Sequence, residues 1–282
     1  MYHPINPDQP IRLAVMGLSG VGKTRLSRQL SMTQWFHYSV DYRTWTHYLS
    51  DELNDYLKKL AMSHPLLQDM LKRDAITVEH RVHFDILLAT SLYMGMLGNP
   101  AQYGSTLDEF TGRMARHAAA EIAATLDIPA FIERAQNLYG YPHFLADLSG
   151  SLCEVVEPDD PEDKVLRMLD STVTLIYIHA TEAHEKVLIE RNIADPKPIY
   201  YRPDFIAEEL PGLLAQHGAA DITAIAPKDV GAYLYPRLLA HRVQRYEKIA
   251  ERHAITLTME EAAAIHSQED LLAKLTATIQ ST

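Results

Sequence analysis

The stretch that most narrows the folds open to this chain lies near its start. Residues 11–16 (IRLAVM) form a short apolar run, followed by Gly17-Leu18-Ser19-Gly20-Val21-Gly22-Lys23-Thr24 and then by 24–32 (TRLSRQLSM), which has helical character. The eight-residue segment fits G-x-x-x-x-G-K-[ST], the phosphate-binding loop, in the strand–loop–helix setting that motif requires. Its glycines let the backbone turn tightly and aim successive N–H groups at one anion. The helix start adds its partial positive charge. The pattern predicts that Gly17, Ser19, Gly20, Val21, Gly22, Lys23, Thr24 and Arg25 hold a nucleoside triphosphate. Lys23 is expected on the outer phosphates and the Thr24 hydroxyl on Mg²⁺.

A chain of 282 residues can bury a large core. Its formal charge of −11 argues against broad binding to nucleic acid or anionic membranes. The single cysteine, Cys153, permits no internal disulfide and fits a reducing cytoplasm. Residues 1–10 carry no basic or apolar leader pattern, and the apolar stretch 86–98 is too short to span a bilayer. The expectation is a cytoplasmic protein with no membrane partner. The histidines show no metal-binding spacing; His80 and His83 fall on an expected amphipathic helix, as surface or core residues.

Four further strands are expected. Residues 35–40 (WFHYSV) are aromatic and β-branched and end in Asp41-Tyr42-Arg43. In open α/β sheets ligands bind beyond the carboxyl ends of strands. Asp41 and Arg43 are therefore placed for substrate or magnesium. Residues 142–147 (PHFLAD) end in Asp147, the shape of a segment whose aspartate holds the Mg²⁺ shell beside the loop hydroxyl. Glu154 is a second acid nearby. Residues 173–179 (VTLIYIH) and 255–258 (ITLT) complete the set.

Between the second and third strands, residues 44–139 have helical periodicity, including a helix over 78–97 and one opening at Ser105-Thr106-Leu107-Asp108. This is more than a crossover needs, so an inserted helical subdomain is expected, able to cover the loop. Its Arg113, Arg116 and His117 are read as a solvated face. Residues 157–163 (EPDDPED) read as a solvated acidic turn leading to a helix over 161–169. After the fourth strand come a helix over 182–193 bearing Arg191 and a proline-punctuated basic loop with Lys197 and Arg202. Cations that close over a migrating phosphoryl group stabilise its transition state. Arg191 and Arg202 suit that role, with Lys197 a weaker third. Helical residues 204–227 should break at Pro211 and Gly218; helices over 228–253 and from Ser267 to about residue 279 follow.

This arrangement resembles the P-loop kinase superfamily, closest in layout to shikimate and gluconate kinases. The resemblance rests on GLSGVGKT, the strand ends at Asp41 and Asp147–Gly150, the segment from Glu190-Arg191 to Arg202-Pro203, and 242–250, and covers about half the chain. It implies a P-loop NTPase fold: a three-layer α/β/α sandwich with a parallel five-stranded sheet. Residues 1–43 and 140–282 would be the core, with a lid at about 190–203, and 44–139 the insertion. It also implies ATP with Mg²⁺ and transfer of the γ-phosphoryl group to an acceptor. Asp41 would bind the acceptor hydroxyl or act as its base, and Arg43 would grip the substrate. Shikimate kinases carry a second acid after this strand and a glycine cluster after the next. Here stand Asp41-Tyr42-Arg43 and Asp147-Leu148-Ser149-Gly150-Ser151, so an acceptor other than shikimate is expected, small or nucleotide-like, and the large insert points to a bulkier one such as a nucleoside, a nucleotide-sugar or a macromolecule. The alternative is an ATPase switch with a protein partner, for which Glu154 is the local water-positioning acid. A GTPase would need N-K-x-D, and Pro227-Lys228-Asp229 does not supply it. A transferase holding pyrophosphate on the loop is a further reading, against which the acidic charge weighs for nucleic-acid substrates.

Overall fold

A computed structural model describes residues 9–31, 34–80 and 93–281. Its strands are β1 (Arg12–Met16), β2 (Trp35–Ser39), β3 (Met96–Leu97), β4 (Gly104–Ser105), β5 (His143–Asp147), β6 (Thr174–His179) and β7 (Ala254–Thr258). Five of them form one sheet in the order β2-β5-β1-β6-β7, every pair parallel. The apolar runs dictate this: Leu13, Ala14, Val15 and Met16 are all fully buried, and strands buried on both faces belong in parallel sheets covered by helices. The register sets Asp147 beside Val15 on one side and Ser39 on the other. The carboxyl ends of β1, β2 and β5 therefore lie together, where the strand order reverses around β1.

The helices used below are α1 (Lys23–Ser31), α2 (Val40–Arg43), α3 (Ser50–Ala61), α4 (Pro65–Lys72), α5 (Leu107–Leu126), α6 (Ile128–Asn137), α7 (Leu152–Val155), α8 (Lys164–Thr172), α9 (Glu182–Ala194), α10 (Pro203–His217), α11 (Pro227–His253), α12 (Met259–Ala264) and α13 (Gln268–Ser281). Leu26 and Leu30 of α1, Ile128 and Ile132 of α6, Leu166 and Leu169 of α8, Ile249 of α11 and Leu271 and Leu275 of α13 pack into the core around the sheet. The chain is thus an α/β protein whose five-stranded parallel sheet is flanked by helices, compatible with three layers.

Residues 44–139 do not follow the expected boundary. Ala124, Ile128, Ile132 and Ala135 join the sheet core, so the end of α5 and α6 serve as the covering crossover. Trp45, Leu49, Leu53, Phe110 and Met114 join instead a second cluster with Tyr200, Phe205, Leu213, Val230 and Leu238. The earlier part of the segment is thereby packed against residues 200–238, which lie far along the chain.

Several expected elements shift for local reasons. Val40 leaves the strand and starts α2, because the Ser39 hydroxyl caps the Tyr42 N–H. Helix α8 starts at Lys164, where the Asp163 carboxylate accepts from Val165 and Leu166 N–H, both at 2.9 Å. Pro211 does not break α10; Leu213, two residues on, is buried, and packing carries the helix past the proline. Gly218 does end it, in the left-handed conformation at φ 59°. A capping box unforeseen from the sequence, Thr258 with Glu261, opens α12. Of the helix expected over 78–97, residues 81–92 and with them His83 lie outside the described residues. Residues 76–80 are irregular and Met96–Leu97 is a strand. His80 Nδ1 meets Asn54 Oδ1 of α3 at 2.8 Å. Among the described residues no helix is long and apolar enough to cross a membrane.

Candidate active site at the carboxyl ends of β1, β2 and β5

The glycine loop leaves β1 through a passage only glycine fits. Gly17 has φ 144°, and a Cβ there would stand 2.6 Å from the Ile178 carbonyl oxygen. Gly20 and Gly22 also have positive φ, 83° and 104°, as a concave loop of amides needs. Lys23, 7% exposed, curls back so that Nζ donates to the carbonyls of Gly17 at 2.9 Å and Leu18 at 3.0 Å. Burial lowers its pKa, opposed by the charges of Asp147 and Asp41. A desolvated ammonium bonded to carbonyls of its own loop is ready to exchange them for an anion.

Thr24 and Asp147, expected to share a magnesium ion, lie against each other. Thr24 Oγ1 donates to Asp147 Oδ2 at 2.6 Å. Burial raises the Asp147 carboxyl, and Lys23 and Thr24 oppose that. His37 Nε2, one strand over, lies 3.9 Å from the same oxygen; burial pushes that imidazole down to about 4, so it is neutral. Gly150 brings the turn after β5 against the loop: a Cβ there would lie 3.3 Å from Ser19 N. Asp41, in the first turn of α2, is exposed. Desolvation by the groups around it raises its carboxyl, and the charge of Asp147 adds to that, while Ser149 and the charge of Lys23 lower it. A hydroxyl, a carboxylate and an ammonium thus surround the loop, with a second carboxylate at the mouth.

The expected cations divide. Arg43 Nε donates to Asp127 Oδ2 at 2.7 Å, and its guanidinium lies over the Phe131 ring, 5.2 Å from the centroid. It fastens α2 to the α5–α6 junction and is not available to grip a substrate. Arg202 bonds Glu157 at 2.6 Å, Asp204 at 2.9 Å and the Glu154 carbonyl at 3.0 Å, so it too is committed. The acidic turn read as solvated supplies that Glu157, which also meets Arg245. Lys197 pairs loosely with Asp195 at 3.7 Å. Arg191 is exposed in the last turn of α9. It lies on the same side of that helix as His184 and Leu188, which flank Gly20 at 3.4 and 3.9 Å from a Cβ there. The Arg25 side chain turns away, to the Ala263 carbonyl at 3.2 Å. Arg113 and Arg116 are not simply solvated; they bond Ser105 and the Tyr93 hydroxyl at 2.5 and 2.9 Å.

Glu154, expected near the site, is fully buried and held. Arg242 Nε donates to its Oε1 at 3.1 Å, and His241 Nδ1 approaches at 3.4 Å. Burial pushes this carboxyl up, and His241 and Arg242 more than reverse it, leaving it low. Sequence reasoning missed Glu121 on α5, 1% exposed, whose Oε2 takes a 2.6 Å bond from Ser151 Oγ. A signal was present: His117, Glu121 and Ala124 share one stripe of α5, and a charged residue on an apolar stripe is informative. Among the described residues no three His, Cys, Asp or Glu gather as a metal cage. No protein-family model matches the chain, and no curated protein matches it significantly.

Proposed function

We propose that this chain binds ATP with Mg²⁺ and transfers the γ-phosphoryl group to a hydroxyl of a small or nucleotide-like acceptor. The observation that carries the reading is the 2.6 Å contact between Thr24 Oγ1 and Asp147 Oδ2 beside the retracted Lys23. A hydroxyl and a carboxylate so joined offer the few protein ligands magnesium uses, water and phosphate supplying the rest. Bound there, the ion would neutralise charge on the phosphoryl oxygens. Lys23 would leave the Gly17 and Leu18 carbonyls for phosphate, and the loop amides would hold the remaining oxygens. Asp41, wet and at the mouth, is the group able to take the proton of an attacking hydroxyl. The cation expected from the lid reduces to Arg191, since Arg202 is tied to Glu157 and Asp204.

The switch-ATPase reading has less support, because Glu154 is buried under Arg242. Calorimetry of Mg·ATP binding with wild type, Lys23→Ala and Asp147→Asn tests the donor half. Lys23→Ala should lose binding while folded, and Asp147→Asn should lose its magnesium dependence. Wild-type affinity in Lys23→Ala refutes the assignment. Label from γ-labelled ATP appearing only as free phosphate, across a pool of hydroxyl metabolites, counts for the switch.

A further inference from the structure

A second concave site lies away from the phosphate loop, at the outer edge of the sheet. Strand β7 is last in the order, so one of its sides has no strand neighbour. There a groove of about 380 Å³ opens between β7, the end of α11 and the end of α13. Helix α11 passes directly into β7 at Ala254, and this tight crossover sets helix residues 247–251 beside the strand that follows. The back wall is β6, through Tyr177 and His179. Ile178 between them supplies the carbonyl that bounds Gly17, so the groove and the loop share a strand but no residue.

The walls carry charge of one sign. Glu247 and Glu251 line the groove, are both exposed and stand one turn apart on α11, which places their Cβ atoms roughly 5–6 Å from each other. Glu247 Oε1 lies 3.6 Å from an imidazole nitrogen, His179 Nε2. Among the described residues no lysine or arginine lines the groove. Ala250, Ile255 and Ile279 make the rest of the surface apolar. Tyr177, edge-on to the His179 ring at 5.8 Å between centroids, is 1% exposed, and its hydroxyl is buried with no hydrogen-bond partner. An unpaired buried hydroxyl is costly, and a ligand that donates to it removes the cost.

Such walls select among ligands. The carboxylates repel anions. A metal ion needs converging ligands, and among the described residues no three His, Cys, Asp or Glu gather as a cage. A cation carried on an alkyl chain suits both the acids and the apolar surface between them. We propose that this groove binds a short aliphatic diamine, with one ammonium on Glu247 and the other on Glu251. Its methylenes lie along Ala250 and Ile279, and the ammonium on the His179 side donates to the Tyr177 hydroxyl.

Calorimetric titration of the whole protein with diaminobutane, in the absence of nucleotide, tests the proposal. One saturable site per chain is expected. Aminobutane, with one ammonium, and butanediol, with none, should bind about tenfold or more weakly. Glu251→Gln and Tyr177→Phe should each weaken the diamine about tenfold; Glu251 is exposed and phenylalanine keeps the buried ring, so both variants should fold. Glu133→Gln, the same change of charge at an exposed position of α6, should leave the affinity as it is. The rival outcome is unspecific attraction of cations to a chain of formal charge −11. Binding that does not saturate, equal affinity for aminobutane, wild-type affinity in Glu251→Gln or in Tyr177→Phe, or an equal loss in Glu133→Gln overturns the proposal. None of these readouts depends on whether the loop binds Mg·ATP.

Discussion

Replacing Glu154 by Gln separates a structural acid from a catalytic one. In the folded protein Glu154 and Arg242 have side chains 0% and 6% exposed, with Nε 3.1 Å from Oε1. At an effective dielectric constant near 20 that separation corresponds to about 5 kcal/mol of attraction, before desolvation is counted. Glutamine keeps the volume and one acceptor but leaves the Arg242 charge facing only the carbonyls of Gly150 and Tyr200. Breaking one side of a buried pair costs about 3–5 kcal/mol. At about 2–4 °C per kcal/mol for a chain of this size, melting should fall by roughly 6–20 °C. Pairing the change with Arg242→Met removes the stranded charge, so the double variant should recover much of the loss. The linkage has a definite sign. The folded carboxyl is held below its ordinary value, so its contribution is complete above the unfolded value and fades as pH falls through the folded one. The acid limb of wild-type stability should therefore flatten in Glu154→Gln. Urea denaturation across pH, beside steady-state turnover, measures both. A Glu154→Gln protein of wild-type stability whose ATP hydrolysis is abolished would refute the structural account and restore Glu154 as a water-positioning acid.

Gly17→Ala adds a methyl 2.6 Å from the Ile178 carbonyl at φ 144°, whereas Gly140→Ala, at φ 72°, meets nothing within 4 Å. The second should cost about 1 kcal/mol of backbone strain, the first more, with loss of Mg·ATP affinity; equal costs in urea denaturation would contradict the close approach. Arg43→Ala removes the Asp127 pair and the contact with Phe131, so stability should drop by about 1 kcal/mol while the acceptor KM holds. A selective rise in that KM would return Arg43 to the substrate.

The sheet was legible because its strands are short apolar runs ending in polar turns, and each of the five appeared within a residue or two of its expected place. The loop was legible because Gly17, Gly20 and Gly22 at those spacings have few other uses, and positive φ is found at all three. The pairing of Thr24 with Asp147 followed from strand adjacency, which the motif presupposes. What stayed hidden was the destination of long cationic side chains. Arg43, Arg202 and Arg242 each reach a carboxylate at least two residues and as many as 88 away in sequence, and no periodicity encodes which. The extent of the insertion was hidden for a similar reason. Ile128 and Ile132 are four residues apart, as Leu49 and Leu53 are, yet the first two cover the sheet and the last two face residues 200–238.

That division of the insertion bears on the chemistry. Helix α5 begins among the residues that pack on 200–238 and ends against the sheet, so His117 and Glu121 lie where the two clusters adjoin. The same helix supplies Tyr38 with its partner, the Ala124 carbonyl at 2.6 Å, and through Asp127 just beyond its end it anchors Arg43, two residues from Asp41. Asp41 is thus tied to the end of α5 through the neighbouring Arg43–Asp127 pair. The glycine loop follows β1 and Asp147 ends β5, so in the kinase reading the donor side is set by β1 and β5 and the acceptor side by α5. An acceptor that shifted α5 by a fraction of an ångström would move Asp41 relative to the loop. In the kinase reading, acceptor binding and base alignment are then one event.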